Sequence, residues 1–172
     1  MSGVPILRRR AQRFERPLVY FRFSPDEFIL SVAGSEETYR STPHVALVRE
    51  TRVVKAIGPE AHRFASQEVD VENGFSHSRG LIMSDAYLAE IGFRYTFELF
   101  IERVRRGQLP FLRWMKPNLL IHPLNMASGH LNTLEMRALY EIGGRCGVRD
   151  VTVYFGPELS DLELRTGWYV VA

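Results

Sequence analysis

The sequence predicts a single α/β domain, a mixed sheet flanked by helices, and three stretches carry that expectation. Residues 18–33 read as two strands about a tight turn, residues 85–106 as one long helix, and residues 116–157 as strand, loop, helix, strand. A hairpin is antiparallel, whereas strands joined through a helix are parallel and right-handed as a rule, so the sheet mixes both. With 172 residues, 45% of them hydrophobic, the chain can bury a real core within the size of one domain.

Residues 1–17 set Arg8, Arg9, Arg10, Arg13 and Arg16 beside Ile6, Leu7 and Phe14. Two readings fit: a solvated basic tail, or a surface anchor with Arg8, Arg9 and Arg10 on anionic headgroups. Leu18 to Phe23 and Phe28 to Ala33 form the hairpin, joined by Ser24-Pro25-Asp26-Glu27, whose residue types favour a turn. Thr42 to Arg49 and Ala56 to His62 read as strands leading into a short helix, and residues 63–79 as a polar surface loop.

Asp85, or Ser84 before it, suits the N-cap of the long helix. That helix carries two apolar stripes, Leu88/Ile91/Tyr95/Leu99 and Phe93/Phe97/Phe100/Val104. A helix lying on a sheet needs one. The second either packs inside the chain or forms a contact face, and Phe93, Phe97, Phe100 and Val104 are the interface candidates. The positive side chains that follow, Arg103, Arg105, Arg106, Arg113 and Lys116 with Phe111 and Trp114 between them, read as a solvated turn, the alternative being a patch that touches lipid headgroups or nucleic acid. Asn118 to His122, ending at Pro123, is a short apolar run suited to a buried parallel strand. Leu131, Leu134, Ala138, Leu139, Ile142 and Cys146 fall on one helical face, Gly147 stops that helix, and Val151, Val153 and Phe155 alternate in a final strand. Residues 158–172 form an extension in which Leu162, Leu164, Trp168 and Val170 are available to cover exposed apolar sheet.

The net charge of +2 gives little reason to expect a nucleic-acid partner. Lone Cys146 cannot form an internal disulfide and fits a reducing cytoplasm. No apolar run approaches the roughly 20 residues that cross a bilayer, and the N-terminus lacks the features of a secretory signal. His122 and His130 have no third ligand at metal-like spacing, so neither a metal nor a cofactor is expected.

Several of these segments resemble, in order, the bacterial actin homologue MreB. Glu135-Met-Arg-Ala-Leu followed by Gly147-Val-Arg-Asp-Val resembles its "ERRAI…GAREV"; Thr42 to Arg49 resembles "EPSVVAIR"; Ala56 to His62 resembles "AVGHEAK"; and Gly80-Leu-Ile with Asp85 resembles "DGVIADF". The likeness covers about residues 18–157 and implies the ribonuclease H-like fold of actin-like ATPases. It also shows what is altered. Where the family's hairpin carries "IDLGTANTLIYVRG", Arg22 stands for the metal-side Asp, Ser24 for Gly and Pro25 for Thr. A phosphate cradle needs close backbone N–H groups, which glycine permits and proline lacks. Where the family has "LIEEP", this chain has Tyr154-Phe155-Gly156-Pro157, without either acid. The acid matching Asp85 lies near the family's nucleotide cleft, and here capping is the competing role.

The resemblance therefore implies an actin-like half-molecule without catalysis, acting by protein interaction with itself or an MreB-type filament. A bacterial cell-shape role would put it in the cytoplasm or at the inner face of the membrane. The alternatives are an enzyme reusing the ribonuclease H-like scaffold and a residual nucleotide binder.

Overall fold

A computed structural model of the protein describes residues 16–75, 82–107, 114–124 and 133–167. The strands are β1 (Leu18–Phe23), β2 (Phe28–Val32), β3 (Thr38–Ser41), β4 (His44–Val48), β5 (Val54–Ile57), β6 (Val69–Asn73), β7 (Asn118–Pro123) and β8 (Val151–Val153). The helices are α1 (Ala86–Arg106), α2 (Thr133–Arg145) and α3 (Asp161–Thr166), with a 3-10 helix at Gly58–Phe64. The main sheet has five strands in the order β3-β2-β1-β7-β8. β1 lies at its centre, antiparallel to β2 and parallel to β7, and β7 is parallel to β8. A second, antiparallel sheet runs β5-β4-β6. The mixed sheet is thus as the sequence predicts.

Two strands escape the sequence pattern. β3 follows the hairpin, and β6 crosses the stretch expected to be loop. In β6, Val69 and Val71 alternate with Asp70 and Glu72, whose carboxylates pair with Arg49 and Arg52. This is an edge strand held by cross-strand charge rather than deep burial.

Alternation on β1 divides the molecule. Val19, Phe21 and Phe23 join the core under α1 and α2, while Leu18 and Tyr20 join a second cluster with Leu120, Tyr154, Leu159 and Leu164. The α1 stripe proposed as an interface lies inside the larger core: Phe93 is 0%, Phe97 3%, Phe100 0% and Val104 3% exposed. The cause is aromatic packing against the hairpin. The Phe93 ring stacks on Phe21 at 3.8 Å and meets Phe28 edge-on at 6.2 Å. The other stripe is split, because α1 touches two sheets. Leu88 packs with Val45 and Leu47 of the small sheet, whereas Tyr95 and Leu99 face solvent.

Asp85 is the N-cap of α1, its Oδ1 accepting from the N–H groups of Tyr87 (2.9 Å) and Leu88 (3.0 Å). On α2, Leu139 and Ile142 are buried as the periodicity requires, but Leu134 is exposed in the first turn. Glu135 takes the inward place, accepting the Ile82 N–H at 2.5 Å. Gly143 lets α2 lie close on the sheet, since a Cβ there would come within 2.8 Å of Val151 Cγ1.

Glu90 ties α1 to α2 by pairing with both Arg94 and Arg145. The bond from Arg145, then that arginine's charge and Arg94, hold the Glu90 carboxyl below its ordinary value against the opposing effect of burial. A carboxyl depressed in the fold stabilises it above its unfolded pKa and loses that contribution as pH falls through the folded one. Glu90→Gln is therefore expected to lower the thermal midpoint at neutral pH. In melts at successively lower pH, the gap to wild type should close below about pH 4.

Candidate functional site

Ligands of open α/β sheets bind outside the C-terminal ends of the parallel strands. Here that edge gathers the β1–β2 turn, Leu124 after β7, and Tyr154 to Glu158 after β8. The turn closes on itself. Ser24 N–H donates to the Glu27 carbonyl at 2.9 Å, and Ser24 Oγ accepts from the N–H groups of Asp26 (3.3 Å) and Glu27 (3.1 Å). Pro25 has no N–H, and its carbonyl accepts from Asn73 Nδ2 at 2.6 Å. The four turn residues thus direct no backbone N–H outward for an anion to bind. Beside the turn is a shallow depression, with room for about one water molecule, lined by Phe23, Ser24, Pro25, Phe75, Ile82, Pro123 and Leu124. Among the described residues, its lining contains no charged side chain.

Arg22 lies at the same edge, on the α3 side of β1. Its guanidinium pairs with Glu158 and sits over the Tyr20 ring at 5.0 Å. Tyr20 and His122 complete a buried chain of hydrogen bonds. Leu159 N–H donates to Tyr20 Oη at 3.2 Å, Tyr20 Oη lies 2.5 Å from His122 Nδ1, and His122 Nε2 lies 3.1 Å from the Gly156 carbonyl. A carbonyl only accepts, so Nε2 bears the proton; Nδ1 then accepts, and the phenol donates to it. Burial is the main cause lowering the His122 pKa, opposed by the Gly156 bond, and burial raises the Tyr20 phenol to about 12. Gly156 is required where it is, because a Cβ would collide with the Tyr154 phenol.

The described groups at this edge are tied to one another by these hydrogen bonds and by the Arg22–Glu158 ion pair. Among the described residues, no three His, Cys, Asp or Glu side chains gather to hold a metal ion. Burial raises the Cys146 thiol to about 12, so it is neither a ready nucleophile nor a ready metal ligand. No described helix is long and apolar enough to cross a membrane. Arg8, Arg9 and Arg10, with His77 and His130, lie outside the described residues. Nothing in the local sequence distinguishes Tyr20 or His122, since their partners stand 102 residues apart. The segment after β8 forms α3, with a Ser160–Glu163 capping box that is a local signal the extension reading missed, and Gly167 ends it in the left-handed conformation. Of the residues expected to cover the sheet, Leu164 is buried, Leu162 is exposed, and Trp168 and Val170 lie outside the described residues.

Tyr20→Phe removes the donor to His122 and the acceptor for Leu159 N–H, leaving two buried groups without partners. The expected cost is about 1–3 kcal/mol, measured as a lower denaturant midpoint at an unchanged slope. A midpoint equal to wild type would show that the chain of bonds contributes nothing.

The architecture is a hairpin-led mixed sheet with two helices packed on one face and a small sheet inserted before the long helix, and it matches the fold of actin-like ATPases. The solved structures it is similar to agree. MreB5 of Spiroplasma citri bound to ADP matches at a TM-score of 0.57 and 17% identity, over 82% of this chain and 38% of that one. A non-polymerising mutant of MamK bound to AMPPNP matches at a TM-score of 0.58 and 11% identity, over 81% of this chain and 41% of the other. The chain therefore spans about two-fifths of these proteins' length. No protein-family model matches the sequence, and no curated protein does.

Proposed function

We propose that this is a non-catalytic, actin-like half-molecule that acts by protein interaction, associating with itself or with an MreB-type filament. The observation that carries the reading is the closed β1–β2 turn. Its N–H groups are engaged internally, Pro25 has none, and the neighbouring Arg22 is paired with Glu158. A magnesium-bound polyphosphate needs outward N–H groups, which the four turn residues do not offer, and an acid free to hold the metal, whereas Glu158 at this edge is paired with Arg22. With the phenylalanine stripe buried, Tyr87, Tyr95 and Leu99 are the apolar side chains that α1 leaves available for a partner.

The test is sedimentation of the full chain, alone and with polymerised MreB-type filaments, with and without magnesium-ATP and anionic vesicles. Mass rising with concentration, or pelleting with filaments irrespective of ATP, is expected. Pelleting with vesicles alone would shift the weight to Arg8, Arg9 and Arg10. Saturable ATP binding or magnesium-dependent hydrolysis would overturn the proposal.

A further inference from the structure

Where β6 leaves the small sheet, its last residue and the two that follow grip the main body. Asn73 closes the β6–β4 ladder opposite His44. Its side chain reaches across to the β1–β2 turn, Nδ2 donating to the Pro25 carbonyl at 2.6 Å, while its Oδ1 accepts the Phe75 N–H at 2.9 Å. Its own carbonyl accepts from Ser84 Oγ at 3.2 Å, and the Gly74 carbonyl accepts the N–H groups of Ser84 and Asp85. Phe75 then enters the main core, its ring 5.0 Å from Phe23 and edge-on to Phe28 at 5.4 Å. We propose that Asn73 to Phe75 form a clamp, made of the chain's own groups, that fixes the small sheet on the main sheet and makes that arrangement independent of nucleotide. A partner then meets one shape of the molecule whether or not nucleotide is present.

Hydrogen-bond chemistry singles out the residue type at position 73. A carbonyl only accepts and a backbone N–H only donates, so this side chain must offer a donor to Pro25 and an acceptor to Phe75 at once. An amide does both, and in one orientation alone. Turned over, it would set two acceptors together at Pro25 and two donors together at Phe75. A carboxylate of the same length keeps the acceptor and loses the donor. The carbonyl that Asn73 holds belongs to a proline, whose ring fixes φ and stiffens the turn.

The other side of the joint has little slack. A Cβ at Gly74 would fall 2.7 Å from the Asp85 carbonyl oxygen, so the exit from β6 lies directly against the first turn of α1. That helix carries Leu88 into the small sheet beside Val45 and Leu47, and Phe93 onto Phe21 of the main sheet. At Gly92 a Cβ would come 3.2 Å from the Pro43 carbonyl oxygen, in the link from β3 to β4. The two sheets are thus tied through α1 and through the β1–β2 turn, and Asn73 supplies the polar contact of the second tie. The consequence for a partner rests on action by protein interaction; the clamp does not.

The experiment is residue-resolved amide hydrogen exchange on the full chain, in wild type with and without magnesium-ATP, and in Asn73→Asp and Asn73→Ala. The Ser84 and Asp85 amides bond across the joint, and in Asn73→Asp they are expected to lose protection about tenfold, the scale of one hydrogen bond. Asn73→Ala, which brings no charge, should lose at least as much, while amides of the β4–β5 and β1–β7 ladders keep theirs in both. In wild type, magnesium-ATP is expected to change none of them, and amide dipolar couplings from the two sheets should fit one alignment tensor. Unchanged Ser84 and Asp85 in both variants, or an equal loss throughout both sheets, would overturn the proposal. So would a response of those two amides to magnesium-ATP, or two separate tensors, both read in wild type whether or not the variants fold. A chain that meets these expectations yet neither self-associates nor pellets with filaments would support the clamp and refute only the interaction reading.

Discussion

Phe97→Asp is expected to abolish the cooperative unfolding transition rather than alter association. Phe97 is 3% exposed within the cluster that joins α1 to β1, β2 and β7. Truncating such a side chain costs about 3–5 kcal/mol, and a carboxylate left there without a partner adds a further desolvation cost. Together these rival the roughly 5–15 kcal/mol that holds a domain folded. Far-ultraviolet circular dichroism against temperature should show no transition. Phe97→Leu, which keeps an apolar side chain, should melt cooperatively at a lower midpoint. If Phe97→Asp instead melted like wild type and changed only its sedimenting mass, the stripe would be a surface after all.

Gly74→Val is the second large effect, and its cause is backbone rather than volume. Gly74 lies where β6 ends and the chain turns toward α1. A Cβ there would fall 2.7 Å from both the Asp85 carbonyl oxygen and the Leu88 carbonyl carbon, and closer still to the Ala89 nitrogen. These atoms belong to the first turn of a helix and cannot rotate aside. The Gly74 carbonyl also accepts the Ser84 N–H at 2.9 Å and the Asp85 N–H at 3.1 Å, so displacing it disturbs the residue that caps α1. A loss of about 3 kcal/mol or more is expected in a denaturant titration. Gly144→Ala is the control. Nothing lies within 4 Å of a Cβ at that position in α2, so it should be neutral or stabilise by up to about 1 kcal/mol through helix propensity. Equal losses in the two variants would refute the close approach at Gly74.

The exposed residues give the complementary expectation. Tyr95 and Leu99 lie on the face that the sequence pattern assigns to packing, yet they are 41% and 38% exposed. Substituting them should leave the melting midpoint near that of wild type and act, if at all, on association.

Local pattern alone determined the hairpin, the long helix with its cap at Ser84 or Asp85, and the β7–α2–β8 unit. Each rests on neighbours in sequence: alternation for a strand, 3.6-residue spacing for a helix, and turn or cap chemistry at its end. That Arg22, Ser24 and Pro25 depart from the actin-like hairpin was legible only through the resemblance, while Pro25's lack of an N–H follows from its own chemistry.

Only tertiary structure decided which α1 stripe is buried, since two apolar ridges on one helix are equivalent until a sheet is laid against one of them. The Phe21 and Phe28 rings of the hairpin make that choice. Tertiary structure likewise put Glu135 inward in place of Leu134, because the Ile82 N–H needed an acceptor there. It also joined Tyr20 to His122 and Gly156 across a parallel strand pair. Sequence periodicity records which side chains avoid water, but it does not record which distant side chain or backbone group each will meet. That is settled when β1 takes its place beside β7 and the segment after β8 folds back over both.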